Sequence, residues 1–175
     1  ETAPASYSYA TMDSITRPEI VSADLAEEEQ VLEKWKRQTG MKRPPLVIIN
    51  VSGGGQRSAV WAMKVLQEAD SASNGDLFRL THLITGSSGG MLGAAFYREA
   101  KYRYGRGEFE ISPYDPELQK LMAMDLLNPT CFTLAVNDLF FRIKRVKYDG
   151  RSYPLDRGHS FDRKLATNTL GVLDR

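Results

Sequence analysis

A serine between two glycines has a spacing that suits nucleophilic chemistry. Gly86-Ser87-Ser88-Gly89-Gly90 matches the G-x-S-x-G pattern, in which a serine hydroxyl projects from a sharp turn between a strand and a helix. Such a turn brings backbone segments close together, so side chains at the flanking positions would clash. The amides that open the following helix can stabilise the negative charge on an attacked carbonyl oxygen. Ser88 has glycine on both sides of the pattern, whereas Ser87 has Thr85 on one side, so Ser88 is the predicted nucleophile.

A second glycine cluster, Gly53-Gly54-Gly55-Gln56-Arg57, precedes the first by about one helix and one strand. Consecutive glycines after a strand allow several amides to face one point, as an oxyanion hole requires. We therefore predict that Gly53, Gly54 and Gly55 form the hole together with the amide of Gly89. Arg57 either anchors this loop through a salt bridge or contacts a lipid phosphate, and the sequence favours neither role. Neither cluster completes a nucleotide-binding motif, which argues against a nucleotide site.

The elements around the two clusters form a recognisable unit. Leu46 to Val51 is an apolar run interrupted only by Asn50, typical of a strand buried on both faces in a parallel sheet. A helix is predicted from about Arg57 to Asp70, a second strand over Leu80 to Thr85, and a second helix after it. This β-α-β-α order implies a parallel sheet, in which active sites lie at the carboxyl ends of the strands. Both glycine clusters occupy that edge.

The amino-terminal part of the chain has a different composition. Residues 1 to 22 are rich in small and polar residues without periodicity, which predicts an extended arm before a domain spanning residues 23–175. Asp24 and Glu27 have the spacing of a capping box, so we expect a helix from there to about Gln38, ended by Gly40.

Further elements are predicted downstream. Asp115 to Leu127 indicates a helix closed by Asn128-Pro129, and the apolar stretch Cys131 to Arg142 is ambiguous between helix and strand. Lys144 to Tyr148 alternates basic and apolar residues, which indicates an exposed strand. Asp149-Gly150 predicts a hairpin turn, with Tyr153 to Leu155 on the return strand.

The two glycine clusters together closely resemble the patatin-like phospholipase family. That family has an oxyanion loop of the form G-G-G-x-Arg/Lys and a G-x-S-x-G elbow on successive strands, and the matching region covers about residues 45–105. The resemblance implies a three-layer α/β/α sandwich with a mainly parallel sheet, incomplete at the carboxyl-terminal end of this chain. It also implies hydrolysis of lipid acyl esters by a Ser–Asp dyad, without metal or cofactor, in the cytoplasm or at a membrane periphery.

The aspartate of such a dyad stands in an Asp-Gly-Gly or Asp-Gly-Ala motif in the family. Asp149-Gly150 is the only Asp-Gly pair after Ser88, which makes Asp149 the candidate within this chain, although Arg151 follows it. The chain begins at Glu1 rather than Met and stops at Arg175 after a helix-like segment. We therefore expect a longer parent protein, with an aspartate beyond residue 175 favoured over Asp149. By themselves, the 175 residues should then have little or no esterase activity.

Other chemistries remain as alternatives. A Ser-His-Asp esterase would need a histidine, and the two histidines are His82, on the predicted strand before the elbow, and His159, in a polar loop. A non-catalytic binding module would use the glycine loops only to hold an anion or a partner. The single cysteine, Cys131, cannot form an internal disulfide and is interpreted as buried packing rather than as a nucleophile.

Composition bears on the partners. With 23 basic and 22 acidic residues the chain has a net charge of +1, which gives no argument for binding nucleic acid. An apolar stretch next to a basic one resembles a membrane-contacting surface, although core packing followed by a solvated strand is the more typical interpretation. The residues concerned are Phe132, Leu134, Leu139, Phe140 and Phe141, followed by Arg142, Lys144, Arg145 and Lys147. An incomplete sheet also predicts self-association through its exposed edge.

Overall fold

The computed structural model describes residues 17–140, 145–148 and 150–174. The candidate acid Asp149 lies outside the described residues, as do residues 1–16. By its internal contacts the chain divides into two units, residues 1–47 and residues 48–175, which are described in turn.

The described part of the first unit, residues 17–47, contains one helix, α1 (Pro18–Thr39). Proline suits this start because its φ angle is already helical and its missing amide hydrogen has no partner in the first turn. Gly40 ends the helix in a left-handed conformation with φ 69°, as predicted. The predicted extended arm is wrong for residues 18–22, which are helical, and Asp24 lies inside the helix rather than at its cap.

The second unit begins with the predicted β-α-β-α order. Strands β1 (Val47–Val51) and β2 (Thr81–Gly86) are neighbours in a small parallel sheet. Helix α2 (Gly55–Ala72) connects them, followed by a turn at Asn74-Gly75 and a short helix α3 (Asp76–Leu80) that the sequence analysis missed. Helix α4 (Ser88–Gly105) follows β2 directly. The mixed α/β character is confirmed.

The remaining elements are mostly helical. They are α5 (Glu117–Ala123), α6 (Leu127–Thr133) with a π-helical turn (Leu134–Asp138), the antiparallel hairpin β3 (Arg145–Tyr148) and β4 (Arg151–Pro154), and α7 (Arg157–Asn168). The predicted hairpin is confirmed, whereas Asn128-Pro129 does not close a helix. Both residues lie in the first turn of α6, where proline is tolerated because its amide needs no partner. Cys131 is exposed, so its interpretation as buried packing is wrong.

The core lies between α2, α4 and one face of the strand pair. Its fully buried side chains include Met63 from α2 and Phe96 and Tyr97 from α4. Ile49, Val51 and Ile84 pack against this core from the strands. Their neighbours point the other way, and Ile48 is 55% exposed and Leu83 49% exposed. The prediction that the first strand is buried on both faces is therefore wrong for the described residues.

A buried carboxylate joins three parts of the second unit. Asp70, near the end of α2, has no exposed surface and forms an ion pair with Lys101 of α4. Its oxygens also accept hydrogen bonds from the hydroxyls of Tyr97 (3.1 Å) and Tyr114 (3.0 Å). Burial, together with the charge of Asp70 and the hydrogen bond to it, raises the pKa of Tyr97, and the pKa of Tyr114 is raised in the same direction.

These raised pKa values predict loss of stability in alkali. Both hydroxyls hold their protons more tightly in the folded state, so their contribution is complete below the unfolded tyrosine pKa of about 10 and is lost as the pH rises above it. We expect the free energy of unfolding to fall steeply above about pH 10, and less steeply in Tyr97→Phe. Urea denaturation at a series of alkaline pH values measures both slopes, and equal slopes would contradict the assignment.

Candidate active site

The site is built on the junction between β2 and α4. The amide of Ser87 donates a hydrogen bond to the carbonyl of Val51 (3.2 Å), so the end of β2 stays paired with the end of β1. Ser87 is extended, and Ser88, the first residue of α4, turns to φ 50°. Serine rarely adopts this left-handed region, and such strain is found where surrounding structure holds a residue in place for function. The Ser88 residue is exposed to solvent.

The glycines around Ser88 are required by close backbone approach. A Cβ atom on Gly86 would lie 2.3 Å from the carbonyl oxygen of Val51, and one on Gly90 would lie 2.0 Å from that of Ser52. At Gly89 the corresponding distance is 1.9 Å, to the carbonyl oxygen of Gly55. The steric reason predicted for the flanking glycines is therefore confirmed, and the two glycine clusters lie in direct contact.

The loop after β1 runs alongside Ser88. A Cβ atom on Gly53 would lie 3.0 Å from the Cβ of Ser88, so only the absence of a side chain allows this approach. Gly54 and Gly55 have φ angles of 141° and 65°, which other residues rarely adopt. α2 and α4 begin at this place, and the first amides of a helix have no partner within it. Two helix N-termini, which carry partial positive charge, therefore begin close to Ser88, and such ends suit a developing oxyanion.

Two side chains that the sequence analysis missed hold this loop. The Gln56 side-chain amide nitrogen donates to the carbonyls of Met122 (3.2 Å) and Met124 (2.6 Å), which stand on either side of Ala123 at the end of α5. The Ser58 hydroxyl donates to the carbonyl of Ser52 (2.6 Å) across the loop. A polar residue directly after the glycines was the available signal, but its partners stand more than sixty positions away in the chain.

The other predicted residues are dispersed. Arg57 is exposed and forms no ion pair with any described residue, so the predicted salt-bridge anchor is not seen there. His82 lines a groove at the opposite end of β2, about 13 Å along the strand from Gly86. The amide of His159 donates to the Asp156 carboxylate (3.0 Å), which caps α7. The structure thus brings Ser88 and the loop of Gly53 to Gly55 together, and it places His82 at the other end of β2.

Comparisons of the chain with family models, with curated proteins and with solved structures find no match. Within the described residues, no group of histidine, cysteine, aspartate or glutamate side chains is arranged to hold a metal ion. None of the described helices is long and apolar enough to cross a membrane.

Proposed function

We propose that this chain contains the nucleophile and the oxyanion hole of a patatin-like serine acyl hydrolase that acts on lipid or other acyl esters. In this proposal Ser88 is the nucleophile, and the amides of Gly53, Gly54, Gly55 and Gly89 bind the oxyanion. The α2, α4 layer and the parallel strand pair are then part of a three-layer α/β/α sandwich, whose third layer would cover the exposed strand face at Ile48 and Leu83.

One observation supports the proposal most directly, namely the left-handed backbone of Ser88 at the start of an 18-residue helix. A turn required only for folding would favour glycine or asparagine at this φ angle, because these residues adopt it at lower cost. A serine there places a hydroxyl next to the positive ends of two helices. That combination suits a nucleophile whose reaction generates an oxyanion.

The proposed reaction has two steps. The Ser88 hydroxyl oxygen attacks the ester carbonyl while a base accepts its proton, and the tetrahedral oxyanion is held by backbone amides. The alcohol leaves with a proton, and water then hydrolyses the acyl-enzyme to release the acid and free Ser88. In the dyad proposal the base is an aspartate, either Asp149 or one beyond residue 175. The distance of His82 along β2 favours the dyad over a Ser-His-Asp triad that would use this histidine.

Covalent labelling tests the nucleophile directly. The chain is incubated with a fluorophosphonate probe and the labelled residue is identified by mass spectrometry. We expect labelling at Ser88, loss of labelling in Ser88→Ala, and unchanged labelling in Ser87→Ala, because only Ser88 has the left-handed geometry. Turnover of p-nitrophenyl esters should be slow in the absence of a positioned aspartate to accept the Ser88 proton, since general-base assistance contributes roughly 10²–10⁴ in rate.

The neighbouring Ser87 is the matched control for labelling of Ser88. Equal labelling of Ser87 and Ser88 would show that the turn merely exposes hydroxyls. No labelling of Ser88 in the presence of lipid, in a longer protein that contains a downstream Asp-Gly-Gly or Asp-Gly-Ala motif, would favour the non-catalytic binding module. Rapid ester turnover abolished by Ser88→Ala would show that the 175 residues already contain the catalytic aspartate, contrary to our expectation of an aspartate beyond Arg175.

A further inference from the structure

Four large apolar side chains are exposed on and after α6. Leu127 and Phe132 lie on α6, and Leu139 and Phe140 follow its π-helical turn. Their exposed fractions are 62%, 68%, 68% and 74% respectively, so the core-packing interpretation of this stretch is wrong at Phe132, Leu139 and Phe140. Single exposed apolar residues are ordinary, but several within fourteen positions form a surface that needs an explanation. We call these four residues the apolar patch.

The hairpin that follows is basic. Arg145 and Lys147 on β3 are exposed and lie two positions apart, so they share one face of the strand. Arg151 on β4 is exposed as well. None of these three cations forms an ion pair with a described residue, and the Arg145 guanidinium instead donates to the Ser152 hydroxyl (2.9 Å) and carbonyl (3.0 Å). We call these three residues the basic hairpin.

Chain geometry and two contacts keep the apolar patch near the basic hairpin. Four residues separate Phe140 from Arg145, so their Cα atoms are at most about 19 Å apart. On the other side of the hairpin, Arg157 forms an ion pair with Asp138 of the π-helical turn (3.1 Å). The hydroxyls of Thr133 and Ser160 are hydrogen-bonded (2.7 Å), which joins α6 to α7. Both flanks of the hairpin are thus tied to the helix that presents the apolar patch.

The apolar patch and the basic hairpin together indicate one kind of partner. Residues 142–151 contain five basic and one acidic residue, although the whole chain has a net charge of only +1. A nucleic acid would use the cations but leave the phenylalanines and leucines unexplained, and an apolar protein face would leave the cations unexplained. Exposed apolar side chains next to cations that have no ion-pair partner among the described residues suit a bilayer that offers anionic headgroups above an acyl layer. We propose that the apolar patch and the basic hairpin together dock on an anionic lipid surface.

One end of the apolar patch lies close in the chain to a segment that contacts the candidate active site. The carbonyl of Met124, a half-exposed residue three positions before Leu127, accepts a hydrogen bond from Gln56 of the glycine loop (2.6 Å). Docking would therefore bring the membrane to the segment that supports the loop beside Ser88. Delivery of a lipid ester to Ser88 rests on the proposed function, whereas docking itself does not require any catalysis.

Vesicle binding tests the proposal. Binding is measured by co-sedimentation with vesicles of phosphatidylcholine alone and of phosphatidylcholine mixed with phosphatidylglycerol, at low and high salt. We expect preference for the anionic vesicles, weakened by salt. Arg145→Glu with Lys147→Glu should weaken binding about tenfold or more, since each cation near an anionic surface contributes measurably. Phe132→Ser with Phe140→Ser should weaken it at every salt concentration.

Matched controls distinguish docking by this surface from non-specific adsorption to vesicles. Lys42→Glu with Arg43→Glu makes the same charge change in the first unit, and Trp61→Ser removes an apolar side chain that is 71% exposed on α2. Neither control should change binding. Ser88→Ala should also bind normally, so loss of labelling at Ser88 and loss of docking are distinguishable. Circular dichroism shows whether each variant folds. If a variant does not fold, the salt dependence of vesicle binding by the unsubstituted chain still tests the proposal.

Three results would overturn the proposal. The first is equal binding to neutral and anionic vesicles, or none to either. The second is a loss of binding in the controls as large as that in the patch and hairpin variants. The third is a change of oligomeric state in Phe132→Ser with Phe140→Ser, measured by sedimentation velocity, which would identify the apolar patch as an interface between copies of this chain.

Discussion

Gly89→Ala is expected to lower the free energy of unfolding by about 3 kcal/mol and to abolish labelling of Ser88 by the fluorophosphonate. The added Cβ would lie 1.9 Å from the Gly55 carbonyl oxygen, which belongs to backbone and cannot rotate away. Either the oxyanion loop or the start of α4 must move, and both movements displace the amides beside Ser88. Urea denaturation measures the loss of stability, and labelling measured below the unfolding transition reports on the site.

Gly105→Ala is the matched control for this substitution. Gly105 lies at the other end of α4, and nothing stands within 4 Å of an added Cβ. There the exchange should be neutral or should stabilise by up to about 1 kcal/mol, because alanine loses less backbone entropy on folding. If Gly89→Ala and Gly105→Ala gave the same stability and the same labelling, the two glycine clusters would not be in contact.

Asp70→Ala is expected to destabilise the chain by roughly 3–5 kcal/mol, because it removes one partner of a buried ion pair and leaves the other charge uncompensated. Lys101 would lose its carboxylate, and the buried hydroxyl of Tyr97 would lose its acceptor. The amide of Phe78 also loses a 3.4 Å contact to the carboxylate. Urea denaturation at neutral pH measures the effect.

Asp76→Ala provides the comparison for Asp70→Ala. Asp76 is paired with Arg79 one turn later on α3, and both side chains are well exposed to water. Exposed pairs contribute little because solvent screens them, so we expect hardly any change in the denaturation midpoint. A similar loss of stability in both variants would show that the buried ion pair and hydrogen bonds of Asp70 do not stabilise the fold as their geometry indicates.

The sequence alone determined the local features of the site. The glycine-flanked turn at Ser88, the glycine loop and the β-α-β-α order could be predicted because each depends on residues close together in the chain. The hydrophobic periodicity of α2 reflects its own burial pattern. The glycines at 86 and 90 could be recognised from a motif of five residues, although the backbone carbonyls that they admit, at Val51 and Ser52, lie more than thirty positions earlier. The end of α1 at Gly40 was predictable for the same reason, since a left-handed glycine stops a helix locally.

Features that depend on partners far away in the chain could not be predicted. The amide of Gln56 finds its carbonyl acceptors at Met122 and Met124, and Asp70 collects donors from Tyr97 and Tyr114. Nothing in the local pattern distinguishes these residues from ordinary polar ones on a helix. The apolar stretch around Phe132 resembles a core segment for a related reason, because burial is decided by what packs against a helix rather than by its composition.

The contrast is clearest at Ser88 itself. The pattern of glycines around it identified the residue and the reason for small neighbours. Only the tertiary structure decided that its backbone is left-handed and that the loop of Gly53 to Gly55 lies against it, because that contact joins segments more than thirty positions apart. A motif specifies the geometry of a turn through local sterics, whereas the approach of a second loop depends on how two helices pack on two neighbouring strands.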